Sequence, residues 1–119
     1  METNNSILLS IKKLLGINTD YEHFDTDLII HINSVFMILR QMGVGPNKPF
    51  SITGPGETWD DFSENIEDME SIKTYVYLKC KLVFDAPTNT TMYQSLRDAI
   101  AEFEFRLNVE MDKTMEDED

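Results

Sequence analysis

The stretch from Asp20 to Asp27 gathers the groups best able to hold a hard cation or move a proton, with His23 set among Asp20, Asp25 and Asp27. A calcium loop needs acids at regular offsets, a central glycine and a closing glutamate, and this stretch lacks that order. Loop and helix capping is the simpler reading. His31 has no HExxH partner and falls in a helical pattern, so it reads as a satisfied or surface histidine, not a zinc ligand. Cys80 lies between Lys79 and Lys81, which would favour its thiolate, but no second cysteine or oriented histidine accompanies it. It reads as a small packed hydrophobe. GVGP and TGPGE lack phosphate-loop spacing and read as turns. Carboxylate pairs such as Asp60 with Asp61 and Glu67 with Asp68 are expected in a chain with 22 acids, and none sits in a recognisable apolar pocket. The expectation is a non-enzymatic protein with no catalytic residue, cofactor, metal or small-molecule substrate.

The whole chain explains why so many acids lack a partner. Its 119 residues carry 10 Lys plus Arg against 22 Asp plus Glu, a formal net charge of -12. That balance opposes phosphate-backbone binding and an anionic membrane surface, both of which call for Lys and Arg. The hydrophobic fraction of 41% is too high for a wholly disordered acidic chain. A single cysteine asks for no oxidising compartment. No apolar run is long enough to span a membrane. The opening METNNSILLSIKKLLG lacks the basic-then-apolar order of a signal peptide.

The elements follow from periodicity and breakers. Ile7, Leu8, Ile11, Leu14 and Leu15 share a helical face, with Asn5 or Ser6 as cap, Gly16 as stop, and Lys12 and Lys13 near the favourable C-terminal dipole. Asp25 or Thr26 can cap a second helix whose stripe is Leu28, Ile32, Val35, Phe36, Leu39 and Met42, ended by Gly43. The segment from Gly43 to Asn65 is long for a loop and so reads as functional or mobile. It holds a short extended candidate at 50–53 and a helical turn capped by Thr58 with Asp61 in a capping box. A third long helix carries Ile66, Met69, Ile72, Val76, Lys79 or Cys80, and Val83, and stops before Pro87. Asn89 or Thr90 opens the last helix, with Met92, Leu96, Ile100, Phe103, Leu107 and Met111 as its seam.

The fold class is therefore all-α. It is a compact bundle of about four helices near residues 6–15, 26–42, 66–84 and 90–110, with a long irregular central loop. Residues 1–111 form the helical domain and 112–119 a disordered acidic tail. Four residues are candidate interface groups. Tyr77 and Phe105 lie off the core stripes and mark either an extra apolar face for a partner helix or subunit or a core wider than the stripes. Trp59 and Phe62 either anchor the central segment to the body or meet a partner.

Read together, FDTDLIIHINSVFMILRQMGVGP, FSIT with TWDDF, MESIKTYVYLKCKLVFDAP and IAEFEFRLN resemble the small head–tail connector, or adaptor, proteins of tailed bacteriophages and prophages. The resemblance covers roughly Ile7 to Asn108. It rests on Phe24, Asp25, His31, Asn33, Thr58, Trp59 and Phe62, then on Lys73, Tyr75, Tyr77, Lys79, Phe84, Asp85, Pro87, Arg106 and Leu107. It implies a helical subunit that forms a homo-oligomeric ring, usually twelvefold, in the virion neck. The ring would be assembled in the host bacterial cytoplasm, under the portal protein and above the tail-completion proteins, with DNA passing through its channel. An acidic lining suits such passage, because a channel that neutralised phosphates would grip its cargo. The alternative is an acidic decoy or regulator whose carboxylates bind a basic nucleic-acid-binding partner.

Overall fold

A computed structural model describes residues 5–63 and 69–117, with side chains described through residue 108. Five helices occur in chain order: α1 (Ile7–Leu14), α2 (Asp25–Gln41), α3 (Trp59–Phe62), α4 (Met69–Phe84) and α5 (Thr90–Asp117). α4 is the central helix, with α2 and α5 as its main neighbours and α1 packed beside it. The expected start of the third long helix at Ile66 lies outside the described residues.

The boundaries have local chemical causes. Ser6 Oγ accepts from the Leu9 amide at 3.2 Å and caps α1. α1 and α2 both close in Schellman turns. In α1, the amides of Gly16 and Ile17 donate to the carbonyls of Lys13 and Lys12; in α2, those of Gly43 and Val44 donate to Arg40 and Leu39. Gly16 and Gly43 take φ of 79° and 82°, the left-handed region this turn requires. The capping box at α3 is present, with Thr58 and Asp61 each bonding the other's backbone.

One boundary departs from expectation. Neither Asp25 nor Thr26 caps α2; Phe24 holds the cap position with no side-chain bond, because the Asp25 carboxylate is drawn to Lys12.

The core joins Ile7, Leu8 and Ile11 of α1 to Leu28, Ile32, Val35, Phe36 and Leu39 of α2 and Ile72, Tyr75, Val76 and Cys80 of α4. Leu96, Ile100 and Leu107 bring α5 onto it. Each such aliphatic side chain contributes about 1.5–3 kcal/mol on burial. Three residues expected on core faces are instead exposed: Leu14, Val83 and Met92. Val83 borders an open groove between α2 and α4, and Met92 sits in the first turn of α5, ahead of the buried seam that begins at Leu96.

The central segment is held by specific bonds. Its 50–53 stretch forms no strand. The Asn33 side chain takes the place of a neighbouring strand, donating to the Ile52 carbonyl at 3.0 Å and accepting from its amide at 2.7 Å. Farther on, Ile7 donates to the Glu57 carbonyl and Trp59 to that of Asn5, forming an isolated antiparallel bridge between Ser6 and Thr58. The Ser6 hydroxyl donates to the Pro55 carbonyl at 2.8 Å. These bonds seat Trp59 in the core, 1% exposed, with its indole N–H on Ser10 Oγ. Phe36 meets the indole at 6.1 Å and packs in turn with Phe50 and Phe62, the three phenyl centroids 4.8–5.4 Å apart.

Candidate functional site

The groups able to do chemistry are absorbed by the fold. Cys80 is fully buried, and burial pushes its thiol up to about 12, far from a reactive thiolate. Tyr75 is equally buried and donates to Glu104 Oε2 at 2.8 Å. Burial, that hydrogen bond and the glutamate charge all hold its proton on. His31 Nε2 bonds the Lys79 carbonyl oxygen at 3.1 Å, and its ring meets Phe84 edge to face. His23 lies against Tyr21 and Phe24. Among the described residues no three His, Cys, Asp or Glu side chains converge as a metal site.

Glu57 closes the turn that carries the central segment. Burial raises its carboxyl, but bonds from the Thr53 side chain and from the backbone of Thr53, Glu57 and Gly54 outweigh that and hold it below its ordinary value.

A further group has no counterpart in the sequence reading. Lys12 is 1% exposed. Its ammonium donates to the carbonyls of Thr19 at 3.1 Å and Tyr21 at 2.6 Å, and pairs with Asp25 Oδ1 at 2.7 Å. One buried charge thus fastens the 18–24 loop to α1 and α2. The signal available in the sequence was the place of Lys12 on α1, one helical turn after Leu8 and next to Ile11. That is the buried arc, where a lysine needs a carboxylate.

What remains is surface. The four candidate interface residues separate. Trp59 and Phe62 are core, at 1% and 4% exposure, so a partner reaches neither without opening the subunit. Tyr77 is half-buried and packs on the core cluster. Phe105 stands out of α5 at 68% exposure, beside an Arg106–Glu102 ion pair. Ile30 and Val83, at 61% and 59%, flank a groove of about 330 Å³ between α2 and α4, floored by His31 and Phe84. A smaller cleft of about 210 Å³ opens between α4 and α5, where Lys79 and Arg97 border Leu82 and Ile100. Exposed apolar groups spread over several helices suit a subunit that is packed on several sides.

The sequence profile of the family described as phage connector protein matches residues 7–114, nearly the whole helical body. The chain belongs to the phage connector protein family. No curated protein and no solved structure matches the chain. Membership gives this connector protein a structural role at the phage head–tail junction, in the virion neck, in assembly with other head and tail proteins. The architecture suits that role, since its buried Lys12, Tyr75 and Cys80 are spent on holding the subunit together. No helix among the described residues is long and apolar enough to cross a membrane.

Proposed function

We propose that this connector protein is the repeating subunit of a ring, twelvefold in the virion, that seats under the portal vertex and receives the tail-completion proteins. DNA passes through the channel without specific binding. The reading rests on the family match across residues 7–114. It is supported by the exposed Phe105 on α5 and the exposed Ile30 and Val83 pair at the α2–α4 groove. A ring subunit needs two different contact faces, since a head-to-tail interface closes only when unlike patches meet. The net charge of -12 fits a channel wall that does not hold phosphates. The same charge weakens self-association of free subunits, so at low concentration the portal acts as the template on which the ring closes. Assembly then takes place in the host cytoplasm.

Negative-stain imaging of the protein mixed with its cognate portal tests the reading. Added ring density on one end of the portal is the expected result. Portal particles unchanged at saturating connector would argue against it.

A further inference from the structure

The loop before α2 builds a rigid aromatic knob. Tyr21, His23 and Phe24 contact one another with ring centroids 5.2–5.8 Å apart, yet Tyr21 is 49% and Phe24 41% exposed. The Lys12 ammonium holds the loop from below through the Thr19 and Tyr21 carbonyls. Asp20, Glu22 and Asp27 surround the rings; all three are exposed, and none has an ion-pair partner among the described residues. Rigid exposed aromatics cost little entropy to bury and are the commonest anchors of protein contacts. Their acidic rim calls for a cationic acceptor.

The chain itself carries such an acceptor. The α4–α5 cleft is lined by Lys79 and Arg97 together with Leu82, Ile100, Ala101 and Glu104. Among the described residues neither cation has an ion-pair partner, whereas Lys12, Lys73, Lys81 and Arg106 do. The nearest acid in the cleft, Glu104, accepts the Tyr75 hydroxyl. The cleft has room for an aromatic side chain, and its two cations suit both aromatic faces and carboxylates. Knob and cleft belong to different elements: the knob joins α1 to α2, and the cleft lies where α5 meets α4. No knob residue lines the cleft within the subunit.

We propose that the Tyr21–His23–Phe24 knob of one copy seats in the Lys79/Arg97 cleft of a second copy. This deepens the ring reading and rests on it. The contact is head-to-tail, so each copy uses both patches and the chain of contacts closes into a ring or continues.

Sedimentation velocity at millimolar protein and about 0.15 M salt, which screens the net repulsion between acidic subunits, tests this by complementation. Two double variants are needed, Tyr21→Ala/Phe24→Ala without the knob and Lys79→Glu/Arg97→Glu without the cleft. Circular dichroism checks that each is folded. Should the alanine variant fail to fold, Asp20→Lys/Glu22→Lys replaces it as a rim variant. Wild type is expected to self-associate, less so as salt rises. Each variant alone should associate roughly tenfold more weakly or worse. Their mixture should form a one-to-one dimer and nothing larger, because only one intact knob and one intact cleft remain to meet. A wild type that stays monomeric, a folded variant that associates like wild type, or a mixture that stays monomeric would overturn the proposal. Purified virions separate this from the parent reading. Neck density for a chain that shows none of these contacts removes the knob and cleft alone, whereas absence from virions removes the connector role.

Discussion

Lys12 makes the sharpest energetic prediction. Its ammonium donates to two carbonyls and lies 2.7 Å from Asp25 Oδ1 as an ion pair. Asp25→Ala leaves that ammonium buried without its counter-charge. Breaking a buried pair costs about 3–5 kcal/mol, and the lower end applies because the Asp25 side chain is 24% exposed and water can enter. Lys12→Met keeps the volume and removes the charge. It strands two carbonyls at the edge of an exposed loop and frees Asp25 to turn to solvent, for about 2 kcal/mol. The double variant buries no charge and should cost little more than Lys12→Met alone. The coupling energy is then about 3 kcal/mol. Urea unfolding followed through Trp59 fluorescence gives all three values. At ~4 °C per kcal/mol for a domain of this size, Asp25→Ala should melt roughly 12 °C early. Additivity of the two single variants within about 0.5 kcal/mol would refute the buried-pair account. So would a Lys12→Met cost inside the range of ordinary surface changes.

Four further outcomes follow from the same structure. Trp59→Ala should cost about 3–5 kcal/mol by chemical denaturation, and wild-type Trp59 emission should be blue-shifted; solvent-like emission would contradict its burial. Gly45→Ala should destabilise more than Gly16→Ala. Both have positive φ, but a Cβ at Gly45 would lie 2.6 Å from the Phe62 ring while one at Gly16 meets open space, and equal melting shifts would contradict the geometry. Glu57 has a folded value below the ordinary 4.5, so its stabilisation is complete above that value and lost as pH falls through the folded one; the Glu57→Gln deficit should be present at neutral pH and disappear in acid. Removing residues 112–119 should leave the melting temperature nearly unchanged, since Met115 is their only apolar side chain, and unfolding of that truncation would show the tail to be packed.

The helices were legible because their signals are local. Stripes such as Leu28, Ile32, Val35, Phe36 and Leu39 repeat at the helical period, and Gly16, Gly43 and Pro87 punctuate them. The Thr58–Asp61 capping box was readable for the same reason. Pairings between distant residues were not. Nothing in the spacing of Asn33 and Ile52 announces that one amide will stand in for a strand partner. Sequence alone makes Lys12 a dipole partner, because its proximity to Asp25 depends on how α1 meets α2. Trp59 and Phe62 could be assigned to core or interface only once the bridge between Ser6 and Thr58 had placed them. Val83 and Met92 followed their stripes, but a stripe records periodicity and cannot show where its covering neighbour stops.

The central claim is that this chain is a structural part of the phage neck. Cryo-electron microscopy of purified virions, with symmetry released at the portal vertex, tests it most directly. The account predicts a ring of helical subunits between portal and tail into which α1, α2, α4 and α5 fit without refolding. A neck whose density excludes this fold, with the chain absent from virions and recovered instead on a basic nucleic-acid-binding protein, would contradict it.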